Sequence, residues 1–147
     1  MSQPSVPHVP AAPRPLRVLR LPGAARVVPR YCVTAVCAGS AGVHAALVQP
    51  HLAEAGPPLG AAFAAAAAVA ALAALAVRQP RFDSWAPGAA TAVLSAIAVG
   101  YLLSRTAGIP PLISQPEEFD PLGVITTIAE LIGAVSGVVL QSRKDGT

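Results

Sequence analysis

Four apolar runs govern what this chain can fold into. They extend over residues 27–49, 57–77, 87–104 and 121–140, about 18 to 23 residues each, with Pro, Gly or charge between them. At 1.5 Å rise per residue, a helix of that length covers a hydrocarbon core near 30 Å. A soluble domain carries about a quarter charged residues, whereas only 12% of these 147 residues are charged and 54% are hydrophobic. The predicted fold is therefore all-α, an integral membrane bundle of four transmembrane helices within residues 27–141.

Turn chemistry agrees with these edges. Pro57, Pro87 and Pro121 stand at or next to predicted helix starts, where a missing N–H costs nothing. Pro50 closes the first run after Gln49, and Pro80, Pro110, Pro111 and Pro116 fall in loops. Residues 1–26 are rich in Pro and Arg with too few consecutive apolar positions for a core, which predicts a disordered tail. Residues 142–147 form a short polar tail. The first run has no small-x-small exit of the kind a cleaved leader needs, so it is read as a span.

The basic residues divide unevenly. Arg14, Arg17, Arg20, Arg26, Arg30, Arg78, Arg81, Arg143 and Lys144 fall on the side of the termini, and only Arg105 falls on the other. By the preference of Lys and Arg for the inner face, both termini are cytoplasmic, and the expected location is a bacterial cytoplasmic membrane. The net charge of +3 is thus an orientation signal; with aromatics at 4%, nothing resembles a nucleic-acid-binding face. Tyr31 and Trp85 fall at the inner boundary and Tyr101 near the outer one, where amphipathic rings sit. Cys32 and Cys37 are about 8 Å apart on a helix, too far for a disulfide.

One acid interrupts the apolar runs. Glu130 lies near the middle of the fourth span, where an ionised carboxylate is expensive and requires a partner, a water path or a proton. Thr126, Glu130, Gly133 and Gly137 share one helix face, and Gly133 with Gly137 forms a GxxxG pair suited to close helix packing. Cys37, Ser40, Ala41 and His44 make a matching stripe on the first span. His44 is about six residues deep and Glu130 about nine, a difference of about 5 Å that lets them meet. Thr91, Ser95, Ala98 and Arg105 share a face of the third span, which puts Arg105 at the outer mouth, where its side chain can snorkel to water or reach down toward an acid. Glu130, His44 and Arg105 are the candidate intramembrane polar site, read either as a clamp that fixes helix register or as a proton or cation relay.

Other chemistry is not indicated. His51, Glu54, Glu117, Glu118 and Asp120 gather in the outer loops without HExxH, CxxC or EF-hand spacing and read as solvated loops; no metal or cofactor is expected. Phosphate-binding loops and nucleophile elbows are absent, so no catalytic residues are assigned and no enzymatic role is expected.

The stretches HAALVQPHLAEAGPPLGAAFAAAAAVA and YLLSRTAGIPPLISQPEEFDPLGVITTIAE carry an HxxxxxPHxxE outer loop, an SRTxGxP turn and an acidic loop before the Glu-bearing span. Over roughly residues 42–135 the chain resembles small uncharacterised four-span membrane proteins of actinobacteria. The resemblance implies a recurring outer-half arrangement of His44, His51, Glu54, Arg105 and Glu130, and it implies no activity. Two functions follow as expectations. The first is a small structural or interaction subunit in the lipid bilayer, a homo-oligomer or part of a larger complex, assembled through Gly133 and Gly137. The second is proton or cation transport or sensing through Glu130, His44 and Arg105.

Overall fold

The computed structural model of the chain describes residues 24–110 and 112–142. The expected tail therefore lies outside the described residues from 1 to 23, with Arg14, Arg17 and Arg20, as does 143–147 with Arg143 and Lys144. Four helices follow in order: α1 (Ala24–Ala55), α2 (Pro57–Arg78), α3 (Ala86–Thr106) and α4 (Pro121–Ser142). A single 3-10 turn, Pro80–Phe82, lies between α2 and α3. All four helices are long and apolar enough to cross a membrane. The protein is a multi-pass membrane protein of the all-α class.

The helix starts obey local rules. Proline occupies the first turn of α2 and of α3, where no intrahelical N–H is needed. Asp120 caps α4 by accepting the Gly123 N–H on Oδ1 at 2.6 Å. Between α1 and α2 the chain reverses through one residue, Gly56, whose φ of 84° is open to glycine at little cost. Directly after this turn, a Cβ on Gly60 would lie 2.9 Å from that of Leu52, so glycine is what lets the two helices meet so closely.

The first span corrects one boundary. Pro50 was expected to end the helix, yet α1 continues through it to Ala55. Proline removes its own N–H bond to the carbonyl four residues back and crowds that carbonyl with its ring. Opening the helix would strand several backbone groups where little water reaches them, so continuation is the lesser cost. The His51 ring reinforces the segment, with Nδ1 2.9 Å from the Leu47 carbonyl.

Each helix packs on its neighbours in sequence, and α4 closes the ring against α1. The interior is built from small residues: Ala73, Ala74, Ala86, Ala90 and Ala134 join Val33, Cys37, Val77 and Leu94 in one buried cluster. The larger side chains turn outward, including Leu72, Leu75, Ile125, Ile132 and Val135. This inversion of a soluble core suits a lipid surround, where small residues let backbones approach and apolar bulk faces hydrocarbon. The alanine-filled α2 fits the scheme, because Ala70, Ala73 and Ala74 are its contact face. The buried cluster occupies the half of the bundle nearest Arg30 and Arg78. Toward the opposite end, the helices leave room.

Candidate functional site

That room is a cavity of about 650 Å³. Its walls come from the second half of α1, the first half of α2, the second half of α3, the loop after α3 and the first half of α4. Most of the lining is apolar and includes Leu47, Leu59, Phe63, Ile97, Leu112 and Leu122. Charge enters at four carboxyl groups, Glu54, Glu117, Asp120 and Glu130, against one arginine, Arg105. The remaining titratable side chains on the wall are His44, His51 and Tyr101.

Glu130 forms the innermost polar wall. It is 1% exposed. Ser40 on α1 donates its hydroxyl to Glu130 Oε1 at 2.6 Å, a short charge-assisted type of contact across the α1–α4 interface. Among the described residues this is the carboxyl group's one hydrogen bond, and Oε2 makes none. Ser40 follows from helix spacing, since Val33, Cys37 and Ser40 line one buried face of α1 at offsets of four and three.

His44 stands one turn further toward the cavity mouth. Its Nδ1 is 2.9 Å from the Ser40 carbonyl and 3.4 Å from the Ser40 hydroxyl. A carbonyl can only accept, so Nδ1 carries the hydrogen, and Nε2 is the nitrogen free to accept a proton. The imidazole ring lies 5.5 Å from Phe63, which stacks on His51 at 3.9 Å. Glu130 and His44 thus come together through Ser40, which spacing alone placed on the stripe without assigning it to the site.

Arg105 lies at the cavity mouth, as its helix face implied, with partners other than Glu130. Instead of reaching down toward Glu130, it donates to Glu117 Oε2 from Nη1 at 2.7 Å and to Asp120 Oδ2 from Nη2 at 3.0 Å. The guanidinium also lies over the Tyr101 ring at 4.9 Å. Its Nε is buried without a hydrogen-bond partner among the described residues. The physical reason is the fold of the 107–120 loop. Gly108, at φ 76°, turns the chain back, Ile109 and Ile113 exchange backbone hydrogen bonds, and the Glu117 N–H returns to the Ser104 carbonyl at 3.0 Å. Two loop acids expected in solvent are thereby pinned on Arg105, close enough to outcompete an acid deeper in the bundle. Asp120 serves twice, as helix cap and as ion-pair partner.

The expected glycine face is also resolved. Gly133 packs against Leu94 of α3 and Val36 of α1, and Gly137 against Thr91 and the Pro87 carbonyl of α3. Both glycines are therefore consumed within the chain. On the same helix, Thr127 at 6% exposure is the buried threonine, whereas the Thr126 hydroxyl bonds its own helix at Leu122. The buried face of α4 therefore takes in Thr127 and Ala134 beside Glu130, Gly133 and Gly137.

At the opposite end of the bundle, Arg30 forms a two-pronged pair with Asp83, both contacts 2.7 Å. Cys32 and Cys37 are free thiols. Among the described residues, no three His, Cys, Asp or Glu side chains gather in a way that could hold a metal ion. Compared with known proteins, the chain matches no family model, no curated protein and no solved structure.

Proposed function

We propose that this chain is a non-enzymatic protein of the bacterial cytoplasmic membrane, with both termini inside, that takes up a proton or small cation at Glu130 for transport or sensing. One observation carries the reading: a carboxyl group buried at mid-bundle, held by Ser40 on one oxygen and facing a cavity on the other. Ionisable groups inside membrane spans are rare and mark ion and proton paths. His44, with Nε2 free, is the second proton acceptor on the way in. The mouth acids Glu54, Glu117 and Asp120 favour cations on the approach, and Arg105 organises two of them. The arginine asymmetry supports the orientation: among the described residues, Arg30, Arg78 and Arg81 are at the sealed end and Arg105 alone is at the cavity end.

The association reading rested on the glycine pair and on the Ala-rich spans, and the glycine pair supports it less once its surroundings are considered. Gly133 and Gly137 are covered by α1 and α3 of the same chain, so they offer no groove to a second copy.

The test is a proton-release measurement on purified protein in liposomes, with a pH-sensitive dye in the outer solution. An alkaline jump should release about one proton more per chain from wild type than from Glu130→Gln, both checked for equal thermal unfolding. Equal release from the two proteins overturns the proposal.

A further inference from the structure

We infer that the cavity binds a hydrophobic organic cation, a protonated amine carried on an apolar body, with its ammonium group donating to Glu130 Oε2. The inference rests on the proton or cation reading of Glu130 and names the class of ligand that shares that acid. Three observations lead to it.

The first is size. A cavity of about 650 Å³ lies within the range of about 300–1,000 Å³ typical of small-molecule pockets, and far exceeds what a bare ion or a proton needs. The second is the division of the walls. Leu47, Phe63, Ile97, Leu112 and Leu122 provide an apolar chamber, and polar groups are confined to its floor and mouth. An inorganic divalent ion asks for about six or more oxygen ligands, and no such cluster exists among the described residues. An ammonium group needs one carboxylate, and its hydrocarbon body gains by leaving water. The third is charge. Four carboxyl groups and one arginine line the cavity, and that arginine is already committed to Glu117 and Asp120. An anionic ligand would meet repulsion along the whole path, whereas a cation would meet attraction at the mouth and a hydrogen-bond acceptor at the floor. An ammonium there would form a buried ion pair, which is tolerated only where both partners are satisfied. Ser40 satisfies one carboxylate oxygen and the ligand the other.

The experiment compares two compounds with the same ring system, 1-naphthylmethylamine, cationic at neutral pH, and the neutral 1-naphthalenemethanol. Each is titrated by equilibrium dialysis against the full chain in lipid nanodiscs, with empty nanodiscs subtracted. Wild type should bind the amine at least about tenfold more tightly than the alcohol, a difference of about 1.4 kcal/mol. Glu130→Gln should abolish that preference while still binding the alcohol, and Glu130→Asp should retain it. Ile97→Trp, which fills the apolar wall and leaves the acid in place, should weaken both compounds. Equal affinities in wild type, or a preference that survives Glu130→Gln, would overturn the inference. Equal affinities together with Glu130-dependent proton release leave the proton site standing and remove only the amine. Charge-selective binding without proton release removes the proton reading instead.

Discussion

Replacing Gly137 with alanine tests whether the glycine face of α4 is spent inside the chain. A Cβ at that position would overlap the Thr91 hydroxyl and lie 3.1 Å from the Pro87 carbonyl oxygen. Thr91 cannot simply swing aside, because its hydroxyl donates to Pro87 at 3.0 Å and approaches the Ala134 carbonyl at 3.3 Å. Overpacking of this kind costs about 1–3 kcal/mol, against about 1 kcal/mol gained from replacing glycine by alanine in a helix. The net expectation is destabilisation by about 1 kcal/mol. Gly39 is the internal control: it is on a helix with nothing within 4 Å of its added Cβ, so Gly39→Ala should be neutral or stabilising by up to about 1 kcal/mol. The two substitutions should therefore differ by about 1–2 kcal/mol in unfolding by denaturing detergent, followed by circular dichroism. Thr91→Ala should relieve the Gly137→Ala strain, giving a coupling energy of about 1 kcal/mol in a double-mutant cycle. The reasoning fails if Gly137→Ala behaves like Gly39→Ala, or if cross-linking shows that it separates a dimer while leaving unfolding unchanged.

Three further outcomes follow from individual contacts. Arg105→Gln should release the 107–120 loop, raising protease cleavage and amide exchange there, while global stability falls by no more than about 1 kcal/mol per lost pair, since Glu117 and Asp120 are 39% and 46% exposed; unchanged loop protection would refute the clamp. Ser40→Ala should leave Glu130 without its donor and cost about 1–3 kcal/mol, with a shift of the Glu130 carboxyl band in infrared spectra; an unmoved band would show that the contact is unimportant. Pro50→Ala should restore the missing N–H in α1 and slow amide exchange over residues 46–55, whereas faster exchange would mean that the proline holds the segment in place.

Much of the architecture is legible in the sequence. The prolines at 57, 87 and 121 and the apolar runs behind them marked three helix starts, because a helix in lipid must be long, apolar and begun where N–H groups are dispensable. Glu130 stood out for the same reason, as the one acid in mid-run. Helix periodicity also placed Cys37, Ser40 and His44 on a common face. Periodicity states which residues share a face and is silent on which helix that face meets, so Gly133 and Gly137 could be read for another copy when α3 and α1 already cover them. The partners of Arg105 were hidden for a related reason. Its face was correct, and its partners lay in a loop with no period, brought back by Gly108 and the Ile109–Ile113 contact. Asp120 did carry a readable signal, a capping residue immediately before Pro121, and with it one of the arginine's partners was within reach. At Pro50 the local rule for proline was outweighed by the cost of exposing backbone groups in an apolar surround.

The cavity occupies one end of the bundle and the close-packed cluster the other, and that has an electrical consequence. Helix α4 has 22 residues and is about 33 Å long. Glu130 is nine residues past Pro121, so a charge arriving from the open end travels about 14 Å of that length. If the cavity is dry, about two fifths of the transmembrane potential acts on that charge, or about 1 kcal/mol for each 100 mV; water filling the cavity moves the field onto the close-packed half and lowers the value. Under the proposed uptake of a charge at Glu130, occupancy would respond to membrane voltage with a slope that reads out the hydration of the cavity, and the charge would come from the compartment at the open end.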